Sequence, residues 1–343
     1  MSTSPRLMTN TIGGVGDGPY GIREPEKIFT ERSFPFNPET GSIGIPNIEG
    51  LKKIIPGDEM TPPSAQSFRT SKSWNYHKYL PLLDFPDRYG KVKDINDFCF
   101  KAQIVSYEQY RALQEGFNYK MWDWYTGMLV WKNQNPWTAL RGFFYDYYLD
   151  YTGGYFGYKH GAAPVHIQFN LNDSVVCALN QTAAGLENLT ALVRLYDMHG
   201  KLISEKKDGI NLKAHDVVLL HKVELPKGTD EVFFLKLALV SDQNKVVDEN
   251  LYWLTNKAHS YEKLNELAKA PLKTLLTKED ENHREISVTN PGNETAFFIR
   301  LKIVNSSGDL ILPVYFTENF FTLLPGETKQ VRLDLSECRN ATA

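Results

Sequence analysis

The sequence has little cysteine, no long apolar run and almost no net charge. Its three cysteines, Cys99, Cys177 and Cys338, are far apart and odd in number. That excludes a disulfide framework and leaves isolated buried thiols. The eight histidines form no H-E-x-x-H or similar cluster, so neither a metal nor another cofactor is expected. A net charge of −3 gives no electrostatic footprint for nucleic acid or for an anionic membrane surface. No stretch approaches the ~18 apolar residues needed to span a bilayer. Met1 to Asp17 has no apolar centre and is read as no secretory leader. Sequons begin at Asn172, Asn180, Asn188, Asn293, Asn305 and Asn340, which permits a secretory or vacuolar setting.

What is present is ordinary in bulk and unusual in one respect. The 343 residues are 42% hydrophobic and 23% charged, typical of a globular protein of two or three domains at roughly one per 150 residues. Aromatic residues reach 13%, which suits a site that stacks the flat apolar faces of sugar rings, and equally suits large β-sandwich cores.

The chain is organised around Ser33–Ile45, S-F-P-F-N-P-E-T-G-S-I-G-I. A short apolar strand (Phe34, Phe36) stops at Asn37-Pro38. One carboxylate, Glu39, follows, and then Gly41 and Gly44. A strand that ends at a lone carboxylate among small residues can present a catalytic acid at the mouth of an α/β barrel. A glutamate after proline is also a common solvated turn residue.

Residues 1–25, rich in glycine, read as a long loop carrying Pro19-Tyr20-Gly21. No apolar strand precedes it, so it makes no phosphate loop. Asn47 reads as the N-cap of a helix to Ile55, stopped by Pro56-Gly57. Trp74 to Tyr79 is an aromatic cluster around His77, which is either a loop residue bonded to backbone or a substrate contact beside the carboxylate. Residues 94–122 carry the best helical pattern, capped by Asp94 and packed on one face. Gly127–Trp131 reads as a strand and Thr138–Leu149 as a helix. Strand, helix, strand and helix imply βαβ units and a parallel sheet, with Glu39 and Trp131 at carboxyl ends of strands. After Gly153-Gly154 and Gly161 the period changes to two. Alternating runs such as Val165–Phe169, Leu192–Tyr196 and Glu231–Leu237 predict an antiparallel sandwich. A polar, helical linker is expected over Ser260–Ala270. Runs at Glu285–Val288, Ala296–Val304, Leu310–Phe316 and Gln330–Leu333 then predict a second sandwich. The polar end is expected to fray.

Several ordered motifs carry a resemblance: G-P-Y-G-I-R-E-P-E-K-I-F, S-F-P-F-N-P-E-T-G-S-I-G-I-P, W-N-Y-H-K-Y, D-F-C-F-K-A-Q and W-K-N-Q-N-P-W-T-A-L-R-G. Together they make the chain similar to glycoside hydrolase family 2, in particular the plant mannosylglycoprotein endo-β-mannosidases, with microbial exo-β-D-glucosaminidases beside them. The likeness runs from Gly13 to about Leu335 and is strongest over residues 18–170. It implies a multidomain α/β plus all-β architecture: the C-terminal portion of a (β/α)8 TIM barrel (1–161), then an immunoglobulin-like β-sandwich (162–258), then a linker and a second immunoglobulin-like sandwich (259–343). It implies a retaining glycosidase acting on the β-mannosyl-(1,4)-N-acetylglucosamine linkage of N-glycan cores, with an oligosaccharide or glycopeptide substrate. Exo-β-D-glucosaminidase and β-mannosidase activities are the alternatives.

By the same resemblance F-N-P-E-T assigns Glu39 as nucleophile and places Trp131 on the sugar platform. It also places Trp137, Tyr20 and His77 near the substrate cleft. The Asn-Glu motif that carries the family's acid/base precedes the nucleophile, and the 38 residues before Glu39 do not contain it. Glu24, Glu26 and Glu31 do not fit it. The resemblance therefore implies a partner chain carrying N-terminal sandwiches and the first barrel strands, or an inactive truncated product, or a non-catalytic glycan-binding protein.

Overall fold

A computed structural model describes residues 16–31, 34–64, 67–229 and 231–338. Gly13, Gly14, Ser33 and the Asn340 sequon lie outside these residues. Among the described residues no helix is long and apolar enough to cross a membrane.

The first part of the chain is α/β. Its helices are α1 (Pro25–Thr30), α2 (Ile48–Leu51), α3 (Ser67–Thr70), α4 (Lys72–Tyr76), α5 (Ile95–Tyr119) and α6 (Gly153–Gly161). Strands β1 (Phe36–Thr40) and β2 (Gly127–Val130) pair in parallel, with α5 in the crossover between them. This is the expected strand–helix–strand unit, because parallel neighbours need a long connection. The segment read as an N-terminal loop also joins the sheet. Gly16 N donates to Phe36 O at 3.3 Å, Gly18 N to Glu39 O at 2.7 Å, and Gly41 N to Pro19 O at 3.2 Å. Residues 16–20 thus run beside β1 and hold its free edge.

Helix α5 starts where expected: the Asp94 carboxylate accepts from Asn96 N at 2.8 Å and Asp97 N at 2.9 Å, satisfying donors that the first turn leaves free. It is not packed on one face, however. Lys101, Arg111 and Glu115 are buried along with its apolar residues, and they survive there because neighbours supply their partners. Lys101 Nζ, for example, reaches Gly90 O at 2.7 Å and Asp97 at 2.9 Å.

Helix α6 packs along α5 through glycines four residues apart. A Cβ at Gly153 would lie 2.3 Å from Gln103 O, and one at Gly157 would lie 2.1 Å from Tyr107 O. Only glycine permits that approach.

Three local expectations need correction. Thr138–Leu149 is not helical: Leu140 N bonds to His77 O at 2.6 Å and Phe144 N to Asn133 O at 2.9 Å. Its backbone donors are spent on distant strands of chain. The helix after Asn47 ends at Leu51, and the Asn47 side chain caps nothing. Instead its Nδ2 donates to Asp150 and to Tyr151 O, both at 2.8 Å. The Ser260–Ala270 linker holds only a 3-10 turn, Glu262–Glu266, anchored by buried Leu264 and by Asn265 Nδ2 on Tyr89 O at 2.8 Å.

Two sandwiches follow. The first joins sheet β3 (Val165–Asn170), β4 (Val175–Asn180) and β7 (Asp216–Lys222) to sheet β6 (Leu202–Leu212), β5 (Leu186–Asp197), β8 (Val232–Val240) and β9 (Val246–Thr255), all antiparallel. Ile167, Val176, Leu195, Leu235 and Tyr252 from both sheets close one core. The second sets β10 (Lys273–Glu279), β11 (His283–Thr289), β15 (Thr328–Asp334) and β13 (Tyr315–Phe316) against β12 (Ala296–Ile299) and β14 (Phe321–Leu323), around Val288, Phe321 and Val331. The strands expected at Ala296–Val304 and Leu310–Phe316 are shorter than their patterns, because the chain between Ile299 and Tyr315 makes only one bridge, Val304 to Leu310. Cys99, Cys177 and Cys338 are all free thiols.

Candidate active site

The register of β1 on β2 shifts between Asn37 and Thr40. Such a bulge bends a strand and re-aims its side chains, and Glu39 sits within it. Around the bulge the backbone is pinned. Thr40 Oγ1 donates to Pro19 O at 2.7 Å, and Trp131 N donates to Thr40 O at 2.7 Å. Buried Asn37 donates through Nδ2 to Phe34 O at 2.6 Å.

Beneath, α5 holds the segment after Glu39. Gln103 Nε2 donates to Ile45 O at 3.1 Å, and Tyr110 OH donates to Ser42 O at 3.0 Å. Two glycines let the walls close. A Cβ at Gly41 would stand 2.1 Å from Trp131 O, and one at Gly142 would stand 1.7 Å from Ser42 O.

The result is a cavity of about 540 Å³ lined by Tyr20, Glu39, Leu80, Trp131, Lys132 and Arg141 among others. Tyr20 OH donates to Glu39 Oε2 at 2.9 Å. Partial burial, and next this bond to the carboxylate, hold the Tyr20 phenol above its ordinary pKa, so it stays a donor. Trp131 follows β2 with its indole 51% exposed; its peptide to Lys132 is cis. An exposed indole next to a carboxylate is what a sugar ring can stack on.

The structure thus brings together three of the expected residues: Glu39, Trp131 and Tyr20. His77 and Trp137 do not line this cavity. Their rings stack on each other with centroids 6.1 Å apart. Buried His77 holds the loop after β2, its Nδ1 2.7 Å from Thr138 O and 3.0 Å from Thr138 Oγ1. That loop delivers Arg141 to the cavity. Lys132 and Arg141 were not singled out from sequence, although both stand within W-K-N-Q-N-P-W-T-A-L-R-G.

A larger cavity, about 890 Å³, lies where α6, β9 and the second sandwich meet. Its charges are matched in pairs: His160 with Glu318, Lys329 with Glu249, and Lys236 with Glu327. Elsewhere Glu24, Glu26 and His259 bring potential ligand atoms within 4.8 Å of one another, but Glu24 is already held by both Nη atoms of Arg88, at 2.8 and 2.6 Å.

Known proteins resemble the chain along nearly all of it. Residues 175–257 match the mannosidase Ig/CBM-like domain, and residues 250–342 match the exo-β-D-glucosaminidase Ig-fold domain. A mannosylglycoprotein endo-β-mannosidase of Lilium longiflorum is 29% identical over 94% of the chain and 42% of its own length. An exo-β-D-glucosaminidase of Amycolatopsis orientalis is 28% identical over 95% of the chain and 36% of its own length. The crystal structure of the Amycolatopsis orientalis exo-chitosanase superposes with a TM-score of 0.79 at 26% identity, over 93% of this chain and 42% of that one. The β-D-mannosidase of Dictyoglomus thermophilum shares the fold, with a TM-score of 0.71 at 16% identity over 92% of this chain. The chain spans less than half the length of these curated relatives. Along nearly all of its length the chain is thus similar to the C-terminal part of glycoside hydrolases of the endo-β-mannosidase and exo-β-D-glucosaminidase kind.

Proposed function

We propose that this chain supplies the nucleophile side of a retaining β-glycosidase acting on the β-mannosyl-(1,4)-N-acetylglucosamine linkage of N-glycan cores. In this reading β1 and β2 are adjacent strands of a (β/α)8 barrel within residues 1–161, and the sandwiches occupy 162–258 and 259–343. The observation that carries it is Glu39 on a strand-end bulge, held by Tyr20 at 2.9 Å, in one cavity with the exposed indole of Trp131. The Tyr20 phenol occupies one carboxylate oxygen and leaves the other to attack. Glu39 bonds to the anomeric carbon as the glycosidic C–O bond breaks, and water then cleaves the glycosyl-enzyme.

A retaining site needs a second carboxyl group ~5 to 5.5 Å from the first, to protonate the leaving oxygen and later to activate water. Among the described residues Glu39 is the sole carboxylate lining the cavity. The acid/base must then come from beyond these residues, as from a chain completing the sheet next to β1 and β2. Exo-β-D-glucosaminidase activity, as in the Amycolatopsis orientalis relative, and β-mannosidase activity are the alternatives.

The test is mass spectrometry after incubation with a 2-deoxy-2-fluoro-β-mannosyl label, with and without a chain bearing the complementary barrel half. An adduct on Glu39 that appears only in the mixture supports the reading. No adduct in a folded mixture overturns it and leaves a glycan-binding protein or an inactive product.

A further inference from the structure

The cavity around Glu39 is rich in positive charge. Lys132 and Arg141 both line it, and Glu39 is its sole described carboxylate. Neither cation forms an ion pair among the described residues. The ammonium of Lys132 lies 5.2 Å from the centre of the Trp131 ring, beside the face on which a sugar would stack. Arg141 is exposed and held by rigid backbone, since Gly142 presses against Ser42 O and Leu140 N is bonded to His77 O at 2.6 Å. The backbone that carries Arg141 is therefore tied to the segment after Glu39 and to His77.

We infer that Lys132 and Arg141 set the sugar class of this site by rejecting a protonated amino sugar and admitting uncharged or anionic ones. This rests on the glycosidase reading above and deepens it. A sugar ammonium stacked on Trp131 would stand within a few ångströms of Lys132, where like charges repel through a partly desolvated path. In a retaining reaction Glu39 must stay available to the anomeric carbon, so it does not serve as counter-ion to a sugar ammonium. A mannoside presents only hydroxyl oxygens, which accept hydrogen bonds from ammonium and guanidinium groups. A uronate adds charge-assisted bonds to the same donors. A glucosaminide, carrying an ammonium, meets the opposite electrostatic requirement at these two side chains.

The experiment is ligand-observed NMR titration of the full chain at pH 6 with methyl β-mannoside, methyl β-glucosaminide and methyl β-glucuronide. The mannoside and the glucuronide are expected to bind, and the glucosaminide to bind at least about fivefold more weakly than the mannoside. In a Lys132→Gln/Arg141→Gln chain that preference should vanish, with the glucosaminide gaining and the glucuronide losing. Arg141→Lys, which keeps the charge, should retain the order and controls for disruption of the loop. Glucosaminide binding as tight as mannoside in the unaltered chain overturns this inference alone, as does a ratio that the double variant leaves unchanged. If none of the three sugars binds, the sugar-site reading of the cavity falls with it.

Discussion

The first sandwich and the α/β part bury their residues in opposite ways. Between Val165 and Thr255 two antiparallel sheets cover each other, and Ile167, Leu235 and Tyr252 lie in a core closed by the sandwich itself. Among the described residues the α/β part has a two-stranded parallel sheet, β1 and β2, edged by residues 16–20, with Leu129 58% exposed and Trp131 51% exposed. Parallel sheets are normally covered on both faces. What holds this one is α5, and α5 in turn is held by the sandwich. Its Glu115 accepts at one carboxylate oxygen from Tyr252 OH at 2.7 Å and from Asn250 Nδ2 at 2.9 Å. Its Arg111 donates to Leu251 O at 2.7 Å, with the guanidinium 4.1 Å from the centre of the Tyr252 ring. His166 on β3 bridges Asp248 at 2.8 Å and Glu115 at 3.3 Å. The side of the molecule that carries Glu39 is thus tied to a buried polar seam on β9.

The strongest way to break that dependence is Arg111→Met. It leaves the buried Glu115 and the half-buried Glu108 without their guanidinium neighbour, and breaking a buried ionic arrangement costs about 3–5 kcal/mol. In urea the variant should lose the α/β part first, with tryptophan fluorescence shifting before the far-ultraviolet β signal. A single coincident transition at an unchanged midpoint would show that the two parts do not depend on this seam.

A smaller effect on the same seam comes from pH. Burial lowers the His166 pKa, but the carboxylates of Asp248 and Glu115 outweigh it and hold the imidazole up to about 9. A base with a raised folded pKa stabilises fully below its unfolded value of about 6.5 and loses that contribution as pH rises toward 9. The loss is roughly 3 kcal/mol at 1.36 kcal/mol per pKa unit. The melting temperature should fall between pH 6.5 and 9, and His166→Gln should be less stable at pH 6 but nearly flat across that window. An equal slope in the variant would assign the pH dependence to other groups. At the acid end the sign reverses. Burial would raise Glu318, but His160 outweighs it and holds it down to about 2, so its stabilisation is present above about pH 4.5 and is lost as pH falls toward 2.

The sandwiches and α5 were legible from sequence because each repeats one physical signal, a period of two or a capped helical period, over many residues. Glu39 was read as following a strand that stops at Asn37-Pro38, whereas β1 runs Phe36–Thr40 and takes in Pro38 and Glu39; the bulge between Asn37 and Thr40, which depends on pairing with β2, carried no local signal. Helix α6 was hidden because Gly153, Gly157 and Gly161 argue against a helix by propensity. What favours it is close packing on Gln103 and Tyr107, a tertiary fact. Thr138–Leu149 failed in the reverse sense: its aromatic spacing looks helical, yet its donors go to His77 and Asn133. Arg141 and Lys132 carry no pattern of their own, and only the fold shows that residues nine apart face one carboxylate. The seam is of the same kind, since nothing in the local sequence of α5 tells that Arg111 and Glu115 meet β9.

The smallest effect lies farthest from the seam, on the outer edge of the second sandwich. Among the described residues strand β10 pairs only with β11, and all its residues are exposed, Leu275 at 65% and Leu276 at 49%. Successive residues of a strand point to opposite faces, so both faces of this edge are wet and neither leucine closes a core. An edge strand with two exposed adjacent leucines is a template for pairing with another chain, and lysine, already present at Lys273 and Lys278, is a usual way to blunt it. Leu275→Lys should therefore change folding stability by no more than about 0.5 kcal/mol while reducing concentration-dependent association in sedimentation velocity. A loss of several degrees in melting temperature would mean that β10 contributes to the second core as β9 contributes to the first. The contrast between a self-contained sandwich and a dependent α/β part would then extend to the second sandwich as a third, coupled unit.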